Sequence, residues 1–169
     1  MRLRPFNLDK DFDSIKNWIT DERTHAFWCA GHTNFPLEKE DFSTLLKEIA
    51  EMFGDAPFVA TTDEGEVIGF FCYGLNLERN EGMLKFVMVD GTKRGQGIGK
   101  EMIKLALKYA FEITKADTVQ LNVFPENERA KRCYDSLGFV ERNLTPGAFK
   151  YKDEAWGRCN MAIKKEDWK

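Results

Sequence analysis

A short glycine-rich segment constrains the fold of this chain more than any other feature of its sequence. Residues 91–99 read GTKRGQGIG and connect an apolar segment at 83–89 to a helical pattern that runs to about residue 114. That pattern places one set of apolar residues on a single face: Ile98, Met102, Leu105, Ala106, Tyr109 and Ile113. Glycines between a strand and a helix allow a tight turn and leave bare N–H groups at the positive end of the helix dipole. The segment therefore predicts a strand-loop-helix unit that can cradle a phosphate or pyrophosphate.

The other hydrophobic patterns predict a mixed α/β sheet. The spacing of apolar residues predicts helices over 10–20, 37–53 and 127–137, with an aromatic-rich loop between the first two. Strands are predicted at 3–5, 58–61, 67–77, 83–89, 119–124, 139–141 and 158–163. Meandering strands followed by alternating helices and strands are typical of an α/β (α+β mixed) sheet. The length of 169 residues and the lack of a linker indicate one domain over 1–169.

Composition and charge exclude several classes of protein. The net charge of -3 argues against nucleic-acid binding, which needs a basic surface. The longest apolar stretch, at 67–75, is interrupted by Gly69 and Gly74 and is too short to span a membrane. The N-terminus lacks the apolar region of a signal peptide, so we expect a cytoplasmic protein. The four cysteines form no CxxC pair and no zinc spacing with the two histidines, so we expect no metal.

The glycine loop alone does not identify its ligand. It fails the dinucleotide fingerprint, because Lys100 stands where the third glycine is required. It also fails the P-loop pattern, because Arg94 and Glu101 occupy two required positions. From the loop by itself, a plain tight turn that binds no ligand is an alternative interpretation.

Two motifs together resemble the GNAT N-acetyltransferases. Arg94-x-x-Gly97-x-Gly99 is similar to the family's acetyl-CoA signature, Gln/Arg-x-x-Gly-x-Gly/Ala. The stretch NVFPENERAKRCYDSLGF at 122–139 resembles its second motif, in which Asn, Ala, Tyr and Gly-Phe keep this spacing. The chain is also similar to the ribosomal-protein alanine acetyltransferase branch. The resemblance implies a GNAT fold, with a central, mostly antiparallel sheet, a splayed central strand and flanking helices.

The resemblance also implies acetyl-CoA as co-substrate and a set of residues that bind it. The loop amides would hold its pyrophosphate, at Arg94, Gly95, Gln96, Gly97, Ile98 and Gly99. The pantetheine arm would lie along Val87, Met88 and Val89, where a backbone amide polarises the thioester carbonyl. Asn127 would contact the arm, although an asparagine here is also an ordinary helix N-cap.

Tyr134 matches the family's general acid, which protonates the departing thiolate. It shares a helical stripe with Ala130, Cys133 and Leu137, so a core tyrosine is the alternative interpretation. Glu81 is a candidate general base by its location before the central strand, with a solvated loop glutamate as the alternative. His25 and His32 lie in the region that borders the acceptor cleft in the family, but the sequence favours surface or packed histidines at both positions.

The acceptor implied by the resemblance is a primary amine, either a protein N-terminus or a small amine. Aromatic residues are the candidates for its site: Phe27, Trp28, Tyr73, Tyr151 and Trp156. For Trp28 and Trp156, a position in the core is the alternative interpretation. Transfer would be direct, within a ternary complex. The alternative is a non-catalytic acyl-CoA-binding or regulatory module with the same fold. Because many members of the family are dimers, the resemblance admits a homodimer without requiring one.

Overall fold

The computed structural model describes residues 1–169 and contains seven strands and five α-helices. The strands are β1 (Arg2–Pro5), β2 (Ala56–Thr61), β3 (Val67–Asn76), β4 (Glu81–Val89), β5 (Thr118–Val123), β6 (Val140–Tyr151) and β7 (Glu154–Lys164). The helices are α1 (Leu8–Trp18), α2 (Glu22–Cys29), α3 (Lys39–Phe53), α4 (Ile98–Lys108) and α5 (Glu128–Ser136). A π-helical turn, Tyr109–Ile113, continues α4.

All seven strands belong to one sheet in the order β1-β2-β3-β4-β5-β7-β6. Only β4 and β5 run parallel, and every other neighbouring pair is antiparallel. A parallel pair needs a long crossover, which α4 provides after the glycine loop. This confirms the predicted mixed, mostly antiparallel sheet.

The sheet opens between β4 and β5, as the resemblance implied. The two strands pair only from Glu81 to Leu84 on β4, and beyond Leu84 the side of β4 toward β5 has no partner strand. On its other side β4 carries a bulge, because both Phe86 and Val87 lie opposite Phe71 of β3. Phe86 has a φ of +52°, which is rare for a side chain of this size. Bulges bend a strand, so this one contributes to the splay.

Two apolar layers cover the two faces of the sheet. One layer packs α4 and α5 against one face, with Met102, Leu107 and Phe111 among its fully buried residues. The other layer packs α1, α2 and α3 against the opposite face around Phe42 and Phe70. The open edges of β4 and β5 therefore lie between α2 on one side and α4 and α5 on the other.

The prediction of an aromatic loop between the helices predicted at 10–20 and 37–53 was wrong, because residues 22–29 form α2. Asp21 caps this helix by accepting a hydrogen bond from the Thr24 N–H at 2.7 Å. Ala30 ends it in the left-handed conformation, with a φ of +50°. Eight residues are too few to show a clear helical period, and Asp21 was the one local signal of a helix start.

The closing strands are longer than predicted. They form a hairpin, β6 and β7, in place of the short segments 139–141 and 158–163. Most of β6 is exposed on both faces, so its sequence lacks the alternation that marks a strand. Pro146 and Gly147 also weaken a strand prediction, and the structure accommodates them where the register shifts between Thr145 and Phe149.

Candidate active site

Two adjoining cavities occupy the opening between β4 and β5. The first has a volume of about 530 Å³ and extends toward the glycine loop, α4 and α5. The second has a volume of about 290 Å³ and lies between α2, the middle of β4 and the end of β5. The residues that line both are Phe27, Trp28, Val87, Asn127, Ala130 and Tyr134. A ligand in the first cavity can therefore meet a ligand in the second across these residues.

The glycine loop presents unpaired backbone amides to the first cavity. Gly95 and Gly97 have φ values of +80° and +74°, which explains the need for glycine at these two positions. Gly97 is the N-cap of α4 and offers no side chain, and the first bond inside the helix runs from the Glu101 N–H to the Gly97 carbonyl. The N–H groups of residues 98–100 therefore have no acceptor in the chain, and they point along the positive end of the helix dipole.

The charged residues that line the first cavity are all basic: Lys93, Arg94, Lys100, Arg129 and Arg132. Lys93 is paired with Glu66 at 2.7 Å, whereas the other four make no ion pair within the chain. In a protein with a net charge of -3, this wall concentrates positive charge around the free amides. The cavity is therefore chemically suited to a ligand with several phosphate groups.

Sequence reasoning missed three of these basic residues. Lys100 entered it only as a mismatch to the dinucleotide fingerprint, and Arg129 and Arg132 were not considered. Arg129 and Arg132 are three positions apart on α5 and so share one helical face, which was the available signal. Only the packing of α5 beside α4 brings that face to the loop.

The predicted cofactor-binding residues come together in the first cavity. Its wall includes Val87, Met88, Val89, Arg94, Gly95, Gly97, Ile98, Gly99 and Asn127, together with Tyr134. Gln96 is the exception, because it lies in the loop but does not line the cavity. Asn127 also caps α5 by accepting a hydrogen bond from the Ala130 N–H at 3.4 Å, so the cap prediction is confirmed.

Tyr134 stands where the two cavities meet. Its side chain is 7% exposed, and its ring packs edge-on against Phe139 with 5.8 Å between centroids. Burial, with a smaller effect from Cys133, raises the pKa of Tyr134 above its ordinary value. The phenol is therefore protonated at neutral pH and can donate a proton to a group in either cavity.

The second cavity is mainly apolar. Phe27 and Trp28 from α2 line it as predicted, and Phe86 and Phe124 complete its aromatic wall. Trp28 also donates a hydrogen bond from Nε1 to the Phe86 carbonyl at 2.8 Å, which connects α2 to the bulge of β4. The second cavity thus borders the same unpaired strand edge as the first.

Three aromatic residues expected at the acceptor site lie elsewhere. Tyr73 is buried in the core and its hydroxyl bonds with Thr114 Oγ1 at 2.7 Å. Trp156 is 1% exposed and stacks on Phe27 and Tyr151, with centroids 4.5 and 4.8 Å apart. Neither Trp156 nor Tyr151 lines either of these two cavities; instead they support α2 from behind.

Of the two histidines, only His32 lines the second cavity, where its ring packs edge-on against Phe86. His25 is buried and contacts Thr33 Oγ1 at 2.9 Å and Cys29 Sγ at 3.3 Å. Burial lowers the pKa of the His25 imidazole, which favours its neutral form. His25 is therefore a packed histidine that stabilises the end of α2.

The prediction that Glu81 is a general base is wrong, and Glu81 is not a solvated loop residue either. It is 7% exposed at the start of β4, at the paired end of the strand, and lines neither cavity. Its carboxylate accepts a hydrogen bond from Arg142 at 2.7 Å, and Arg142 also bonds with Gln120 and Asn160. These bonds connect β4, β5, β6 and β7, so the role of Glu81 is structural.

No group of three or more His, Cys, Asp and Glu side chains is placed to hold a metal ion. None of the helices is both long and apolar enough to cross a membrane.

Comparison with known proteins gives a family match and several relatives. Residues 11–139 match the Acetyltransferase (GNAT) family. A spermine/spermidine N(1)-acetyltransferase of Bacillus subtilis is 33% identical over 82 residues, which are 45% of this chain and 54% of that protein. The chain thus matches only about half the length of that relative. A 5-NmdU N-acetyltransferase of Pseudomonas phage PaMx11 is 36% identical over 102 residues, 60% of this chain and 70% of the phage protein.

Solved structures share the fold over nearly the whole chain. The spermidine N-acetyltransferase from Vibrio cholerae, crystallised with CoA and spermine, has a TM-score of 0.82 at 21% identity, covering 98% of this chain and 96% of that one. The ribosomal-protein-S5-alanine acetyltransferase from Vibrio fischeri has a TM-score of 0.75 at 18% identity, covering 99% and 94%.

Proposed function

The chain belongs to the acetyltransferase (GNAT) family, and from that premise we propose that it moves an acetyl group from acetyl-CoA to a primary amine by direct transfer in a ternary complex. Its family match and the names of its relatives support an N-acetyltransferase. The observation that carries the proposal is the first cavity, where unpaired amides, a wholly basic set of charged side chains and Tyr134 line one space.

The basic lining and the free backbone groups of the first cavity suit acetyl-CoA. The amides at the start of α4 would bind the pyrophosphate, and Arg94, Lys100, Arg129 and Arg132 supply positive charge for the remaining phosphate. The unpaired edge of β4 at Val87, Met88 and Val89 would pair with the amides of the pantetheine arm, as a neighbouring strand would. Asn127 lies beside that path, and Gln96 would contribute through its backbone within the loop.

Acetyl-CoA supplies an activated acyl group as a thioester. A backbone N–H on the free edge of β4 would bind the thioester carbonyl oxygen and stabilise the charge that develops there. Tyr134 would donate its phenolic proton to the departing sulfur, because burial keeps the phenol protonated. His32 is the one imidazole on the wall of the second cavity, and it would accept a proton from the acceptor ammonium so that the free amine can attack.

The second cavity would hold the acceptor amine. The named substrates of the relatives range from spermine and spermidine to 5-NmdU and an alanine of ribosomal protein S5, so names alone do not select an acceptor. The proposal also includes a single domain over 1–169 and a cytoplasmic location. It is compatible with a monomer and with a homodimer.

A non-catalytic acyl-CoA-binding module is the weaker alternative. A module without turnover would not need a protonated phenol where the donor and acceptor cavities meet, and Tyr134 stands there.

Calorimetric titration of the purified protein with acetyl-CoA tests the proposal, with ATP and NADH as controls. We expect saturable binding of acetyl-CoA and at least tenfold weaker binding of both controls, about 1.4 kcal/mol in binding free energy. Folded protein that binds no acetyl-CoA would refute the assignment of the first cavity. Binding without thiol release in the presence of any primary amine would favour the module.

A further inference from the structure

The second cavity carries an electrostatic signature that restricts its ligand. No aspartate or glutamate is among its lining residues, and most of them are apolar or aromatic. Its basic lining side chains are His32, Lys85 and Arg158. A cavity of this kind offers no counterion to a cationic ligand.

The positive charge of Lys85 has a carboxylate partner within the chain, whereas that of Arg158 has none. Lys85 is paired with the buried carboxylate of Asp55 at 2.7 Å and lies over the Phe53 ring at 4.0 Å, so its charge is neutralised. Arg158 projects from β7, is exposed, and makes no ion pair or hydrogen bond through its guanidinium within the chain. Arg158 is therefore the free cation on the cavity wall.

Two carboxylates on neighbouring elements have partners within the chain and lie outside the cavity wall. Glu154 forms a two-bond ion pair with Arg23, at 2.6 and 3.1 Å. Glu126 accepts a hydrogen bond from the Gly157 N–H at 3.1 Å. Neither lines the cavity, so neither is placed to receive a second ammonium of a bound acceptor.

These observations favour one chemical class of acceptor. A polyamine would bring its second ammonium out of water without a counterion, and close to Arg158, which is unfavourable. An apolar body would gain from burial against Phe27, Phe86 and Phe124. A carboxylate or phosphate at the far end of the acceptor would meet the free guanidinium of Arg158.

We propose that the acceptor is an amine with one positive centre, an apolar body that fills the second cavity, and a neutral or anionic far end that faces Arg158. This inference rests on the proposed acetyl transfer and specifies its substrate class. It places this chain apart from enzymes selective for polyamines, although some relatives carry polyamine names.

Three acceptors of equal chain length test the inference: hexylamine, ε-aminohexanoate and diaminohexane. They share a primary amine of similar basicity and differ at the far end, which is neutral, anionic or cationic. With acetyl-CoA saturating, we expect kcat/KM for hexylamine and ε-aminohexanoate to exceed that for diaminohexane at least about tenfold, because an unpaired charge in an apolar site is costly. Hexylamine separates the effect of the apolar body from that of the charge.

Arg158→Glu tests the role of the free cation. The ratio of kcat/KM for ε-aminohexanoate to that for diaminohexane should fall about tenfold, since attraction at an exposed site becomes repulsion. Lys47→Glu is the matched control, because it makes the same charge change on an exposed face of α3 that lines neither cavity. It should leave the ratio unchanged.

The outcomes separate this inference from the proposed function. Failure to bind acetyl-CoA would overturn the proposed function. A preference for diaminohexane in the unmodified protein, or transfer to other primary amines but to none of these three, would overturn the inference alone. If the ratio of kcat/KM for ε-aminohexanoate to that for diaminohexane is the same in Arg158→Glu and Lys47→Glu, Arg158 does not contribute to acceptor binding.

Discussion

Replacing Tyr134 with phenylalanine isolates the contribution of one hydroxyl to catalysis. The ring keeps its packing against Phe139, at 5.8 Å between centroids, so the cavity wall keeps its shape. The hydroxyl makes no hydrogen bond within the protein, so its removal leaves no orphaned partner. The free energy of unfolding should therefore change by less than about 1 kcal/mol.

The rate of acetyl transfer should respond strongly. A positioned general acid contributes about a hundredfold or more, so Tyr134→Phe should lower the single-turnover rate by at least that factor, about 2.7 kcal/mol in activation free energy. Affinity for acetyl-CoA should change by less than about threefold, because the amides and basic residues that would bind it are intact. Because burial raises the pKa of Tyr134 above about 10, the rate should show no loss of this acid on the alkaline side up to pH 9.

Rapid-quench transfer with excess enzyme, together with calorimetric titration of acetyl-CoA, measures the two effects separately. Tyr109→Phe is the matched control, since Tyr109 packs against Phe58 and Tyr73 and lines neither cavity. Equal rate losses in the two variants, or a loss of affinity as large as the loss of rate, would show that Tyr134 is not the acid.

Two further substitutions test the loop and the fold. Gly97→Ala should weaken acetyl-CoA binding about fivefold or more in the same titration, because a φ of +74° strains an alanine by about 1–2 kcal/mol. Gly99→Ala is the control and should bind normally, since its Cβ would meet Val89 at an ordinary 3.7 Å. Equal binding by both variants would contradict the role of Gly97. Burial of Asp11 alone would raise its pKa, but two bonds from Arg4 at 2.8 Å and one from the Asn7 amide lower it overall. A lowered folded pKa stabilises the protein above the unfolded value of about 3.9, and this contribution is lost as the pH falls through the folded pKa. Asp11→Asn should therefore reduce the free energy of unfolding by about 1–3 kcal/mol at pH 7, measured by urea denaturation, with the deficit shrinking toward pH 3; a deficit independent of pH would contradict the ion pair.

The local elements could be predicted from the sequence, with instructive exceptions. Long helices such as α3 and α4 show a clear apolar period, and their positions agree with the prediction. The eight-residue α2 and the exposed strand β6 do not, because the first is too short for a period and the second lacks a buried face. Both depend on tertiary packing, since Phe27 and Tyr151 stack on Trp156 and so hold α2 against the β6–β7 hairpin.

For the candidate site, too, some features could be predicted from the sequence and others could not. The glycine loop, the start of α4 and Tyr134 as the candidate acid could be predicted from the sequence by itself, because these predictions depend on backbone conformation and motif spacing within short segments. Only the tertiary structure decided that Glu81 is bound to Arg142, that Arg129 and Arg132 reach the loop, and that the second cavity has no carboxylate. The physical reason is that charge and desolvation depend on which distant segments come together, and no local pattern in the chain records those neighbours.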